Sequence, residues 1–220
     1  MRRPRALERL GRGTAAARRP DGGALLVERL HGAVSLRSLP EAKALLEAAG
    51  TVRRLWVPPP EGEHLRLRRG AHRGRDAGVA RARRGSVGGG RGALADEARE
   101  LRAGLPGDAP ERMLLHGAFR QGKVLAGERV PWLATGPDPV LGERAYDLAS
   151  LVLDRYEDLA AGRALGRGPP PRRQAGGRAG GRPRAAAGWT VVRAVLGGLR
   201  RGAAGERRRG ELLLEFATWV

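Results

Sequence analysis

Cysteine is absent from all 220 residues, which excludes disulfides and thiolate-held metal sites and fits a reducing compartment. No run reaches the roughly 18 apolar residues that a membrane helix needs. Met1-Arg2-Arg3-Pro4-Arg5 is basic, but no apolar stretch follows it as a secretory leader would require. These absences give the expectation of a soluble, cytoplasmic chain with no membrane association. Aromatic residues make up only 4% of the chain, so stacking platforms for bases are scarce. Lysine is nearly missing too, occurring only as Lys43 and Lys123, so arginine carries almost all of a net charge of +19. Such a charge ordinarily points to an anionic partner such as nucleic acid. Here the arginine travels with glycine, alanine and proline, the bias of a GC-rich coding sequence, and coding bias is the preferred reading of the charge.

What is present divides into patterned and unpatterned stretches. Ala24-Leu25-Leu26-Val27-Glu28-Arg29-Leu30 reads as a buried strand. From Pro40 to Trp56, the residues Ala42, Leu45, Leu46, Ala49, Val52, Leu55 and Trp56 form one apolar stripe of a helix that ends at Pro58-Pro59-Pro60. Leu94, Ala98 and Leu101 predict a short helix over Ala93–Ala103, and Ala145, Leu148, Ala149, Val152, Tyr156 and Leu159 predict a longer one over Glu143–Ala160. Two further stripes, Trp189-Val192-Val195-Leu196-Leu199 and Leu213-Phe216-Ala217-Val220, close the chain.

Between these lie two Arg/Gly-rich blocks, Leu65–Gly92 and Gly162–Gly188, in which sizeable apolar side chains are rare. They bury too little surface to offset an ordering cost of about 1–2 kcal/mol per residue, so disorder is expected in both. Both have the composition of GC-rich coding sequence read out of frame. The organisation expected is therefore a disordered stub at 1–23, a strand and helix at 24–60, an insert at 61–92, a central region at 93–160, a linker at 161–188 and terminal helices at 189–220.

The chemistry-bearing stretch is His116-Gly117-Ala118-Phe119-Arg120-Gln121-Gly122-Lys123, after the short apolar run Met113-Leu114-Leu115. A hairpin-like segment, Val124–Leu133, follows it, then Gly136-Pro137-Asp138-Pro139 and Gly142-Glu143-Arg144-Ala145-Tyr146-Asp147-Leu148. Gly117, Gly122 and Lys123 also fit the spacing of a phosphate-binding P-loop. That loop requires a helix starting at the lysine, whereas Val124 to Pro131 reads as a hairpin, so the P-loop reading is set aside. His31, His64 and His72 have no metal-ligand spacing and read as solvated side chains.

Taken together, these segments resemble the aminoglycoside phosphotransferase family, in particular its aminoglycoside/hydroxyurea (streptomycin) branch. There the loop reads His-Gly-Asp-x-His-x-x-Asn and the later segment Ile-Asp-Pro-Lys-Pro. The resemblance covers Ala24–Pro60, Ala93–Ala160 and Trp189–Val220. It implies an α+β, protein-kinase-like fold with a mainly helical C-lobe, most of the N-lobe being absent from this chain. It also implies ATP and Mg2+ as cofactors and a hydroxyl of a streptomycin-like aminoglycoside as acceptor.

Residue by residue, the resemblance puts Ala118 where the family has its catalytic aspartate, and Lys123 and Gly136 where it has the asparagine and aspartate that hold the metal. His116 corresponds to a brace of the loop, and Gly117 and Asp147 to structural positions. Glu28-Arg29-Leu30 corresponds to the hinge whose backbone meets adenine. Alanine can neither accept a proton nor orient a hydroxyl. A lysine ammonium repels a cation, and Asp138 on a fixed backbone does not replace a carboxylate at 136. A chain of this lineage without turnover is therefore expected. The alternatives are a non-catalytic pseudokinase that binds nucleotide or antibiotic, and a non-specific RNA-binding protein acting through Arg91, Arg178 and Arg182 among their glycines.

Overall fold

The computed structural model describes residues 10, 13–15, 17–18, 26–59, 89–105, 112–158 and 182–220. The stub at 1–23 and the Arg/Gly-rich blocks lie largely outside the described residues, and with them Arg178. The chain divides into two compact units, Met1–Leu67 with Pro110–Asp147, and Arg68–Ala109 with Leu148–Val220.

Among its described residues, the first unit combines small antiparallel sheets with a 15-residue helix. Strands β1 (Ala17–Arg18) and β2 (Leu26–Val27) form a two-stranded ribbon. Strand β3 (His31–Ser35) joins β5 (Val124–Ala126) and β6 (Trp132–Ala134) in a three-stranded sheet of order β3-β5-β6. Strands β4 (Met113–Leu115) and β7 (Val140–Gly142) pair with Leu114 opposite Leu141 and Leu115 opposite Val140. Helix α1 (Glu41–Leu55) enters at Pro40, whose fixed φ suits a helix start, and ends at extended Trp56. Directly after it, the Val57 carbonyl accepts from Leu114 N–H at 2.8 Å and ties the helix exit to β4. Leu10, Leu36, Leu55, Leu114, Leu115, Phe119, Val124 and Leu133 are buried and make the core of this unit.

Three expectations for this unit need correction. In the described part of the expected buried strand Ala24–Leu30, residues 26–30, the strand is Leu26–Val27, and these two are 65% and 42% exposed rather than buried. Among the described residues they pair with β1 alone, and no second layer covers their side chains. In α1 the inward face is Ala44, Ala48, Thr51, Val52 and Leu55, while Leu45 and Leu46 are exposed. Small alanines let the helix backbone lie close to its neighbours, which outranks the pull of two leucines. Strand β3 was not anticipated, because His31-Gly32-Ala33-Val34-Ser35 is mostly exposed and shows no apolar alternation; β5 supplies its partner. The hairpin expected at Val124–Leu133 does form, with Leu125 opposite Leu133, so no helix follows Lys123 and the P-loop context is excluded.

In the second unit, helices α2 (Gly89–Gly104), α4 (Arg182–Ala203) and α5 (Arg207–Ala217) enclose Ala95, Ala98, Tyr156, Val191, Ala194, Val195, Leu199, Leu213 and Phe216. Helices α4 and α5 meet at glycines: a Cβ on Gly198 would come within 2.8 Å of the Gly210 carbonyl oxygen, and one on Gly210 within 2.8 Å of the Gly198 oxygen. Only hydrogen at both positions permits that approach. The connecting turn uses Gly205 at φ +86°.

Helices α2 and α4 begin inside the expected Arg/Gly segments, at Gly89 rather than 93 and at Arg182 rather than 189. An Arg91–Glu211 ion pair at 3.0 Å joins the added turn of α2 to α5. Pro183 falls in the first turn of α4, where a missing N–H costs nothing. The helix expected at Glu143–Ala160 runs as α3 (Ala145–Val152), then tightens to a 3-10 turn at Leu153–Arg155, and Val152 is exposed rather than on the buried face. Among the described residues no helix is long and apolar enough to cross a membrane.

Candidate functional site

Strand β4 carries the chain to His116, and β7 brings residues 136–139 alongside, so the loop and the Gly-Pro-Asp-Pro segment cross. The crossing is tight. Asp138 N–H donates to the His116 carbonyl at 2.9 Å, and a Cβ on Gly117 would lie 1.8 Å from the Asp138 carbonyl oxygen. Gly117 is also at φ +76°, a region that L side chains rarely adopt. Both observations require glycine there.

Asp147, in the first turn of α3, is fully buried and organises the loop from beneath. Its Oδ2 accepts from His116 N–H at 3.0 Å and from Trp56 Nε1–H at 3.3 Å, and its Oδ1 accepts from Gly117 N–H at 2.9 Å. The carboxylate thus holds two consecutive loop amides and the side chain at the end of α1. The guanidinium of Arg144 lies over the Trp56 ring at 5.5 Å, close enough for a cation–π contact.

His116 is buried and packs edge-on against Phe119, with ring centroids 5.7 Å apart. Its Nε2 lies 3.1 Å from the Thr135 carbonyl oxygen, while its Nδ1 accepts from Ala118 N–H at 3.3 Å. A carbonyl can only accept, so the ring is neutral with its proton on Nε2. Burial, reinforced by the positive charge of Lys123, lowers its pKa from 6.5 to about 4, against the opposing pull of the Thr135 carbonyl and Asp138.

That shift has a consequence for stability. The unfolded chain takes up a proton near pH 6.5 that the folded loop refuses until about pH 4. Stability is therefore complete above 6.5 and falls as pH drops through this window, by about 3 kcal/mol at its foot. Urea unfolding of wild type and His116→Gln at pH 7 and pH 4.5 checks this. The wild type is expected to lose about 2 kcal/mol more than the variant between the two pH values. Equal losses would show that His116 is not the group responsible.

Lys123 closes the 3-10 turn Gln121–Lys123, where its N–H donates to the Arg120 carbonyl at 2.9 Å. Its carbonyl accepts from Thr135 N–H at 2.8 Å and Thr135 Oγ1–H at 3.2 Å. At the other end of the side chain, Nζ donates to the Gly136 carbonyl at 2.8 Å. Gly136 itself is at φ +58°, and a Cβ there would sit 3.8 Å from Nζ.

His116, Gly117, Ala118, Lys123, Gly136 and Asp147 are thus gathered in one place. Glu28, Arg29 and Leu30 lie between β2 and β3; Glu28 pairs with Arg129 at 3.1 Å and Leu30 reaches Gly127, both toward the β5–β6 turn, while Arg29 is exposed. Reasoning from sequence missed Trp56 and Thr135. Trp56 was readable as more than core, because a buried indole N–H needs an acceptor. Thr135 acts mainly through its backbone and left no signal.

Position 118 offers a methyl group and no acceptor. Among the described residues no three His, Asp or Glu side chains converge as a metal site. At positions 123 and 136 the groups present are an ammonium and a backbone carbonyl, which do not fit Mg2+; the carboxylate of Asp138, two positions on, stands at the same crossing.

Residues 7–210 match the family described as aminoglycoside/hydroxyurea antibiotic resistance kinase. The chain is 35% identical over 154 residues to a streptomycin 6-kinase of Streptomyces glaucescens, covering 66% of this chain and 47% of that protein. It is 38% identical over 161 residues to a hydroxyurea phosphotransferase of Kitasatospora aureofaciens, covering 66% and 44%. It spans about half the length of these curated relatives. Among solved structures, a choline/ethanolamine kinase family protein from Mesorhizobium loti superposes with a TM-score of 0.55 at 15% identity, covering 96% of this chain and 78% of that one. A thermostable mutant of aminoglycoside phosphotransferase APH(4)-Ia, in its apo form, gives 0.52 at 16% identity, covering 96% and 80%. These structural likenesses establish a shared protein-kinase-like α+β fold. With the match running through nearly its whole length, the chain belongs to the aminoglycoside/hydroxyurea antibiotic resistance kinase family.

Proposed function

We propose that this chain is a non-catalytic member of its kinase family: by lineage an ATP-dependent phosphotransferase directed at a hydroxyl of a streptomycin-like aminoglycoside, but without the groups that perform the transfer. The observation that carries the reading is the pairing of Ala118 with Lys123. Phosphoryl transfer needs a group that orients or deprotonates the acceptor and a metal that spans the phosphates. At Ala118 there is no such group, and loss of a general base alone typically costs about 10²–10⁴ in rate. The Lys123 ammonium lies against Gly136, at the two positions where relatives place metal ligands. A divalent ion about 4 Å from it would meet roughly 8 kcal/mol of repulsion at an effective dielectric near 20.

His116, Gly117 and Asp147 act in this reading as the brace of the loop, which persists although the reacting side chains do not. Backbone groups of Glu28, Arg29 and Leu30 serve as the adenine-facing hinge, since backbone contacts do not depend on side-chain identity. Transfer of labelled γ-phosphate from Mg-ATP to streptomycin or hydroxyurea tests the proposal. No product is expected from the wild type. Ala118→Asp alone is also expected to be inert, because it restores the base but leaves the ammonium at the metal position. Product from the wild type above an enzyme-free blank would overturn the reading.

A further inference from the structure

We propose that the Lys123 ammonium is the resident cation of this loop and makes it a site for a phosphate group presented without a divalent metal. The inference rests on reading residues 118, 123 and 136 as the altered kinase loop, and adds to it a ligand chemistry.

Lys123 is fixed at both ends. Its backbone is held by the Arg120 carbonyl and by Thr135, and its Nζ by the Gly136 carbonyl at 2.8 Å in a solvent-exposed bond. A lysine held this way is a positioned charge rather than a mobile surface one. Gly136 has no side chain, so the volume a ligating carboxylate would occupy lies open beside that charge, 3.8 Å from Nζ measured from where a Cβ would stand.

Two more cations border the same turn. Arg120 precedes it and is exposed, and Arg37, from the 3-10 turn Leu36–Ser38, brings its Cδ within 3.4 Å of a Cβ placed on Gly122. Two carboxylates lie near: Asp138, whose charge acts on His116, and Asp147, whose oxygens accept from the His116, Gly117 and Trp56 N–H groups. A point ammonium on a turn bordered by two arginines suits the oxygens of a phosphate and is hostile to a second cation.

The test uses the full chain and inorganic tripolyphosphate, titrated calorimetrically at constant ionic strength, once in EDTA and once in excess Mg2+. Binding is expected in EDTA and is expected to weaken when Mg2+ occupies the anion. Lys123→Gln should weaken the EDTA binding by about tenfold or more, and Lys123→Arg should keep it within about threefold. Arg208→Gln, which removes one exposed charge from α5, controls for the net charge of +19 and should change little. Thermal unfolding of each variant confirms that it folds.

The proposal fails if the wild type binds tripolyphosphate only with Mg2+, if it does not bind up to millimolar concentrations, or if Lys123→Gln and Arg208→Gln weaken binding equally. Those outcomes leave the absence of phosphotransfer untouched. Turnover with Mg-ATP, conversely, would sink the functional reading whatever the calorimetry gave.

Discussion

Asp147→Ala is expected to cost about 4 kcal/mol of stability, enough to consume much of the 5–15 kcal/mol that a domain usually has. The carboxylate is fully buried and accepts from His116 N–H, Gly117 N–H and Trp56 Nε1–H. Hydrogen bonds to a charged group contribute about 1.5–3 kcal/mol each, and removing the acceptor strands buried donors that water cannot reach. The loss of one partner from a buried charged arrangement falls at about 3–5 kcal/mol for the same reason. Asp147→Asn keeps the shape and one acceptor oxygen, and should cost about half as much. Urea unfolding followed by tryptophan fluorescence checks both variants, since Trp56 reports from the same cluster. A loss below about 1 kcal/mol for the alanine variant would mean that the loop amides find other acceptors.

The elements that could be read from sequence are those whose own apolar periodicity fixes their packing. Helix α1 ends within a residue of its expected limits because proline sets one end and the Pro58 run the other. The β5–β6 hairpin was equally plain, and its presence separates a kinase-like loop from a P-loop. Periodicity gave less on which face turns inward. In α1 the alanines won over Leu45 and Leu46, because the distance of approach, not side-chain size, selects the buried face. Strand β3 was invisible because its residues carry no alternation; its pairing is a property of β5.

The site was legible in part because its motif is local and its support is not. Gly117 and Asp147 could be picked out from the resemblance, but why both matter emerges only when residues 30 positions apart meet. Trp56 is further away still, 91 positions from Asp147. Lys123 and Gly136 looked like two separate substitutions in the sequence. Folded, the two meet, the Lys123 ammonium donating to the Gly136 carbonyl.

Among the described glycines, Gly117→Ala should be the most damaging change, with an expected loss of about 3–5 kcal/mol. Two costs add. An L residue at φ +76° is strained by about 1–2 kcal/mol. The new Cβ would also stand 1.8 Å from the Asp138 carbonyl oxygen and 2.9 Å from its carbon, so backbone rather than a flexible side chain has to move. That backbone is already engaged, with Asp138 N–H on the His116 carbonyl and the Leu115–Val140 pair of β4 and β7 immediately beyond. Any shift wide enough for a methyl group breaks one of these and loosens the crossing of residues 116–117 with Asp138. Gly122→Ala is the control: its Cβ would meet only the Cδ of Arg37, at 3.4 Å, and an exposed arginine can swing aside. It should stay within about 0.5 kcal/mol of wild type, as surface substitutions generally do. Thermal melts of the two variants decide the matter. A large fall for position 117 and none for 122 would establish the crossing as the element that fixes the loop. Equal falls would mean that the methyl group acts through something common to both positions, and that the close approach at Asp138 is not what holds the loop.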